Sequence, residues 1–306
     1  MTTTTTELRH VGVLGLGTMG AGIAQVLAAS GRDVTVLEQD GARIAAGRAR
    51  LEASLDRDVA RGRTTEAERA AVLERVWCTS SLVDLAPVDL VVESVSEDLA
   101  VKRAVLDRVA ATVAPDVPIV TNTSALSVTE LATGLPGPER FAGLHFFNPA
   151  PAMRTVEVVP GLRTTPELVE RLVALVESLA DKIAVVVKDR PGFLVNSLLL
   201  PYLNDVVQEL DDDLATAEDI DVALQLGLGY RTGPLAMLDL IGLDVHLQAT
   251  TALHAATADP RYAPPPLLRQ MVADGRLGDK SGDGFRTHPS PAASPRPVSP
   301  HDRSPA

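Results

Sequence analysis

Gly15-Leu16-Gly17-Thr18-Met19-Gly20 follows the apolar run VGVL and opens a helical pattern that continues to Ser30. A G-x-G-x-x-G between a strand and a helix is the fingerprint of a dinucleotide site. Gly15 permits the tight turn, Gly17 lets the backbone approach a pyrophosphate, and Gly20 lets helix and strand pack closely. The helix start, Thr18 and Met19 included, offers free N–H groups and partial positive charge to phosphates. A purely structural glycine turn is the competing reading, and the strand–turn–helix context weakens it. Residues 34–37, VTVL, read as a second strand, and Glu38 ends it eighteen residues beyond Gly20. A carboxylate there accepts hydrogen bonds from a ribose diol and repels a 2′-phosphate, which predicts NAD over NADP. Asp40 competes for that role, but strand register favours Glu38.

A second pair of residues could move a proton. His145 lies near the end of the apolar run FAGLHFF, before the turn signal Asn148-Pro149. Glu157 is flanked by Val156, Val158 and Val159, in a strand that reads as buried. A buried carboxylate is costly unless paired. Twelve residues with a turn between them can bring two strands side by side. Imidazole titrates near neutrality, so it can take a proton from an alcohol. Alone, His145 reads equally well as a hydrogen-bonded core histidine. His10, His246, His254, His288 and His301 lack a comparable setting.

The elements that must position these residues follow from short apolar runs: LVVES near 90–94, PIVTNTS near 118–124, FAGLHFF near 141–147, TVEVV near 155–159 and IAVVV near 183–187. Continuous runs of this kind suit a parallel sheet covered on both faces. Between Gly41 and Arg75 the pattern is helical and charged, with a turn at Gly62 and a capped restart at Thr64 or Thr65. Beyond Asp189-Arg190-Pro191-Gly192 the reading is helical only: LVNSLLLPYLNDVVQEL, AEDIDVALQLGL and GPLAMLDLIGLDVHLQATTALHAA. The fold class expected is therefore α/β, an N-terminal Rossmann-type dinucleotide-binding domain over 8–187 plus a C-terminal all-α domain over 188–286. Residues 287–306 are rich in Pro and Ser and read as a disordered tail.

Bulk properties narrow the partners. The chain has 306 residues and a formal net charge of −12, which disfavours nucleic acid and anionic membranes. Its one cysteine, Cys78, cannot form an intrachain disulfide, and no metal-ligand spacing stands out. The polar run Met1–Glu7 does not resemble a secretory signal, and no window approaches a membrane span. A cytoplasmic enzyme is expected.

GLGTMGAGIAQ, VVESVSEDLAVK, TNTSALS, GLHFFNPAPAM, VEVV, DRPGFLVN, GPLAMLDLIGLD and LGDKSGDGF occur in one order. Together they resemble the 3-hydroxyacyl-CoA dehydrogenase family, and within it the short 3-hydroxybutyryl-CoA dehydrogenase type. The resemblance runs from about residue 10 to 286. It implies two domains, NAD as cofactor and a homodimer through the helical domain. It implies reversible oxidation of a 3-hydroxyacyl thioester, with His145 as base and Glu157 as its partner. A carboxylate behind an imidazole fixes the tautomer and stabilises the imidazolium. Ser124 resembles the family serine that binds the substrate hydroxyl or carbonyl. Its other reading is a helix N-cap, a job open also to Ser127. Asn196 resembles the family asparagine at the reacting oxygen, its other reading being a satisfied helix amide. From the resemblance, the segment holding Glu93, Glu97 and Lys102 lines the cofactor cleft, with Lys102 near the nicotinamide ribose and Asn122 and Thr123 on the nicotinamide side; an exposed lysine without a specific job is the alternative. Arg57–Arg63 falls where the family's helical hairpin meets coenzyme A, and a solvated helix face explains it equally well.

Three positions depart from the family pattern. Ser197 stands where an arginine is usual, Arg231-Thr232-Gly233-Pro234 replaces P-M-G-P, and Arg286 follows Phe285 where tyrosine is common. They motivate an alternative. Some relatives in polyketide biosynthesis oxidise a hydroxyacyl group, such as glyceryl, on an acyl carrier protein. Arg231 or Arg286 would then face an acidic carrier. Two further readings rank lower: a β-hydroxyacid dehydrogenase, which often uses a lysine base, and a non-catalytic NAD-binding structural relative.

Overall fold

The computed structural model of the protein describes residues 8–286, so the threonine run and the Pro/Ser-rich tail lie outside the described residues. Two compact units divide between Asn196 and Ser197. The division falls beyond residue 187 because segment 189–195 is bonded into the first unit. Asp189 accepts from the Ser127 hydroxyl and from the N–H groups of Val128 and Thr129, and Leu194 and Val195 donate to Glu157.

In the first unit, β1 (His10–Leu14) passes through the glycine turn into α1 (Thr18–Ala29), and β2 (Asp33–Leu37) follows. A helical hairpin comes next, α2 (Gly41–Ala60) and α3 (Glu66–Arg75). Gly62 takes a φ of 65° at its tip. Thr65 caps α3, and Glu68 returns the bond to the Thr65 backbone in a capping box. The next strand, β3 (Val76–Thr79), is not among those expected from sequence. It follows α3 without a turn residue, lies at the sheet edge, and buries only its first and last residues.

The remaining elements are β4 (Leu90–Glu93), α4 (Leu99–Ala110), β5 (Ile119–Thr121), α5 (Val128–Ala132), β6 (Phe141–Phe146), β7 (Thr155–Pro160), α6 (Pro166–Glu177) and β8 (Ile183–Val186). The strands form one sheet in the order β3-β2-β1-β4-β5-β6-β7-β8. Successive residues serve opposite faces: Leu90 and Val92 join the core with Ile23 and Leu27 of α1, while Val91 joins the core with Leu106 of α4. Burial on both faces is why these strands read as unbroken apolar runs. The expectation of a parallel sheet is corrected at one edge. β7 runs antiparallel to β6, and β8 runs parallel to β7. The eight residues between β6 and β7 are too few for a parallel crossover, which takes a dozen or more.

The second unit is helical. α7 (Val195–Asp211) leads into α8 (Ala217–Leu228), α9 (Pro234–Ile241), α10 (Leu243–Thr257) and α11 (Pro266–Ala273). The sequence run from Gly233 to Ala256 is two helices, because Gly242 leaves helical geometry at a φ of 98°. α11 also goes beyond the elements expected. The core here joins Leu203 and Val207 to Leu235, Leu238, Leu243 and Leu268.

A buried polar chain crosses this core. Asn204 donates to Thr250 Oγ1 (2.8 Å) and to the Arg261 carbonyl (3.1 Å), and its Oδ1 accepts from His246 Nε2 (3.0 Å). Thr250 passes the chain on to the Tyr262 carbonyl (2.8 Å). Burial lowers the His246 pKa to about 4. Its folded pKa lies below its unfolded value of 6.5, so the unfolded chain binds the proton first as pH falls. The stability contributed by neutral His246 is whole above pH 6.5 and is lost as pH falls towards 4. Its upper bound is on the order of 3 kcal/mol. Denaturant unfolding from pH 7.5 to 4 should show His246→Gln with a flatter stability profile than the parent. Identical slopes would remove His246 as the cause.

Candidate active site

The glycine loop shows why small residues are required. Gly15 has a φ of 89°, and its N–H donates to the Leu37 carbonyl (2.8 Å). A Cβ at Gly20 would lie 2.0 Å from the Gly15 carbonyl oxygen. Gly17 caps α1 with open space on its Cα, and no acidic residue occupies the first turn. The N–H groups of Thr18, Met19 and Gly20 at this end have no intrahelical acceptor, as helix geometry dictates. This cradle fits a pyrophosphate. The Glu38 carboxylate is held at its rim, accepting from Leu16 N (2.9 Å) and Gln39 N (2.7 Å). A carboxylate has further lone pairs, which can take a ribose diol. Asp40 is occupied differently: it caps α2 by accepting from Arg43 N.

His145 and Glu157 stand directly opposite each other in the β6–β7 ladder. Their side chains therefore share one face, and His145 Nδ1 lies 2.7 Å from Glu157 Oε2. Glu157 is wholly buried and His145 nearly so. The other carboxylate oxygen, Oε1, accepts from Leu194 N (3.1 Å) and Val195 N (2.9 Å) where α7 starts. A carboxylate oxygen opposite Nδ1 selects the tautomer in which Nδ1 donates, which makes Nε2 the ring's acceptor. Phe147 and Phe193 flank the imidazole, with ring centroids at 4.5 and 5.5 Å. Asn196 is the second residue of α7, next to Val195.

A second buried network lies at the ends of β4 and β5. Glu93 and Lys102 are both buried, with Lys102 Nζ 2.8 and 3.0 Å from the two carboxylate oxygens. Thr121 donates to Glu93 (2.6 Å), as does Val95 N (2.7 Å). Lys102 also reaches Glu97 at 3.2 Å and the Val95 carbonyl at 3.4 Å. The picture of Lys102 as an exposed amine is thus corrected: its three donors are committed within the protein, and it holds Glu97 in place. Glu97 in turn accepts from the Thr123 hydroxyl, from Ser124 N (3.0 Å) and from Ala125 N (3.2 Å). Burial alone would raise the Glu97 pKa. The Lys102 ammonium, with the bonds from Thr123 and Ser124, outweighs burial and holds it below the ordinary value. Asn122 Oδ1 accepts from Phe146 N (2.8 Å), linking β5 to the residue after His145. Ser127, not Ser124, caps α5. The Ser124 hydroxyl has no partner among the described residues.

The glycine loop, Glu93–Glu97, Asn122–Ser124 and His145 all follow or end parallel strands at their carboxyl ends. That is where open α/β sheets bind ligands, and the β1–β4 boundary is a switch in strand order. Beside the start of α1, a cleft is lined by Thr18, Arg50, Ser54, Arg57 and Asn148. Of the arginines read as a coenzyme A site, Arg57 faces this cleft, whereas Arg63 pairs with Asp58 at 2.6 Å. Arg286 pairs at 2.8 Å with Asp221, a fully buried carboxylate that also accepts from Leu235 N and Ala236 N. Arg231 is exposed.

Residues 10–190 match the family described as 3-hydroxyacyl-CoA dehydrogenase, NAD binding domain, and residues 192–288 match its C-terminal domain. The chain belongs to the 3-hydroxyacyl-CoA dehydrogenase family. It is an NAD-dependent oxidoreductase. It is 42% identical to the 3-hydroxybutyryl-CoA dehydrogenase of Mycobacterium tuberculosis, over 92% of this chain and 99% of that one. It is 40% identical to the mitochondrial hydroxyacyl-coenzyme A dehydrogenase of Mus musculus, over 91% and 90%. The crystal structure of (S)-3-hydroxybutyryl-CoA dehydrogenase from Ralstonia eutropha superposes with a TM-score of 0.85 at 39% identity, covering 93% of this chain and all of that one. Among the described residues of this family member, no acidic, histidine or cysteine cluster could hold a metal, and no helix is long and apolar enough to cross a membrane.

The resemblance put Glu93 in a segment lining the cofactor cleft, but its buried pairing with Lys102 and Thr121 was not foreseen. Its signal was a charge ending the apolar run LVVE, nine residues before Lys102. Gly20→Ala should weaken NADH binding at least tenfold, about 1.4 kcal/mol, because the new Cβ cannot coexist with the Gly15 carbonyl. A fluorescence titration giving the parent Kd would show that the loop does not need this contact.

Proposed function

We propose that this NAD-dependent 3-hydroxyacyl-CoA dehydrogenase acts on a short 3-hydroxybutyryl-like thioester of coenzyme A, with His145 as its catalytic base. The observation that carries this reading is the buried His145–Glu157 pair, whose tautomer leaves Nε2 able to accept a proton. Nε2 takes the proton from the 3-hydroxyl, and the bond to Glu157 stabilises the resulting imidazolium. A nicotinamide held beside them would supply the hydride acceptor for the carbinol carbon. The Ser124 hydroxyl and the Asn196 amide bind the reacting oxygen as it becomes a carbonyl. Gly15, Gly17, Thr18, Met19 and Gly20 would hold the pyrophosphate, and Glu38 the adenosine ribose. Glu97 and Asn122 shape the nicotinamide side, with Lys102 holding Glu97. Run in reverse, His145 returns the proton.

The names of the relatives support a coenzyme A thioester. Arg57 in the cleft beside α1 supports a seat for its phosphates. A homodimer through the second unit is part of this proposal, supported by the exposed Leu226 and Leu240. Cytoplasmic placement suits the acidic, single-cysteine chain.

The test is NADH oxidation by acetoacetyl-CoA, followed by absorbance. His145→Gln should lower kcat about a thousandfold and leave NADH affinity intact. Glu157→Gln should lose nearly as much, for a geometric reason. Its carbonyl oxygen must take over the bonds from Leu194 N and Val195 N. The amide NH2 then faces Nδ1 and donates to it, which moves the imidazole hydrogen to Nε2 and blocks the base. Parent turnover in either variant would exclude the dyad.

A further inference from the structure

The loop joining β6 to β7 contains Asn148-Pro149-Ala150-Pro151-Ala152-Met153. Two prolines leave it with more carbonyls than N–H groups. The Pro149 carbonyl accepts from Ala152 N (3.0 Å) and Met153 N (3.1 Å). The carbonyls of Ala150, Pro151 and Met153 find no such donor within the loop. They converge on Lys182 Nζ, at 2.7, 3.2 and 2.6 Å. Lys182 is buried, and its ammonium has three donors and no acceptor, a match for three carbonyls. Burial lowers its pKa, opposed by neighbouring Asp181.

Other contacts fasten the same loop. Ile183 N donates to the Arg154 carbonyl (2.8 Å), and Arg154 Nε to the Asp181 carbonyl (3.3 Å). On its far side the loop lies against α1: a Cβ at Gly22 would be 3.2 Å from Ala150 Cβ and 3.3 Å from Pro151 Cδ. The loop therefore touches the helix that begins the dinucleotide cradle. Its two ends continue into the strands that carry His145 and Glu157.

We infer that Lys182 is a positioning residue for the reaction: by gathering three carbonyls it fixes the β6–β7 loop against α1, and so sets His145 at a constant distance from the cofactor cradle. The inference rests on the dyad reading above. Misplacement of reacting groups by about an ångström can cost a hundredfold in rate. With apolar methionine in place of the ammonium, the three carbonyls lose their common donor and the loop loosens.

The experiment compares the full-length parent with Lys182→Met, Lys182→Gln and Val176→Ala, the last a buried core truncation in α6. Three quantities are read: amide exchange of a 147–154 peptide, NADH Kd by fluorescence, and kcat per folded molecule. Lys182→Met should exchange faster in that peptide, bind NADH several-fold more weakly and lose about tenfold or more in kcat. Lys182→Gln, with two donors, should fall between, and it decides the matter if the methionine variant does not fold. Val176→Ala should lower Tm and leave all three quantities at parent values. Parent-like exchange and NADH affinity in the Lys182 variants overturn the inference, as does an equal change in Val176→Ala. If His145→Gln kept its activity, the dyad reading would fall, and the exchange and NADH readouts would still report on Lys182 separately.

Discussion

A carboxylate removed from water must have every strong acceptor position answered, and Glu157 is the place where this demand organises the molecule. One oxygen is answered by an imidazole from the neighbouring strand, the other by two backbone N–H groups at the start of α7. Satisfying the charge fixes three things together: the β6–β7 register, the tautomer of His145, and the path of the chain as it leaves the first unit. Polarity here is inseparable from order. A single unmet bond would leave a buried charge exposed to a low-dielectric interior.

The same logic repeats at the ends of the parallel strands. Glu93 closes β4 inside the protein, and Lys102 and Thr121 neutralise and bond it. The ammonium has a donor left for Glu97, whose other oxygen gathers the backbone of residues 124 and 125. Asn122 then fastens this loop to Phe146, beside the histidine. Loops at strand ends have few apolar contacts to define them. Here buried ion pairs and side-chain-to-backbone bonds supply that definition, and they run from the cradle side of the sheet to the base.

Much of this was legible in the sequence. The glycine fingerprint works through backbone geometry, so its residue types and spacing identify it. Val156, Val158 and Val159 around Glu157 signalled burial, and burial implied a partner. The strand directions were less legible, because a buried antiparallel strand and a buried parallel one have the same apolar run; only the short β6–β7 connection distinguishes them. β3 escaped notice because an edge strand needs few apolar residues. The environment of Lys102 was invisible as well. Lysine composition suggests a surface, and only the fold reveals that Glu93 waits beneath it. Arg286 is a related case: its pairing with Asp221 links positions far apart in the chain, which no local pattern encodes.

The reversal between β6 and β7 bears on how the chain assembles. Every other adjacent pair of strands in the sheet is parallel, so each needs a long crossover before its ladder can close. The β6–β7 ladder closes over eight residues. The entropy lost in closing a loop grows with its length, and short-range pairings form fastest. The two partners of the dyad thus meet through the most local contact in the sheet. They can find each other before the cradle for the cofactor exists.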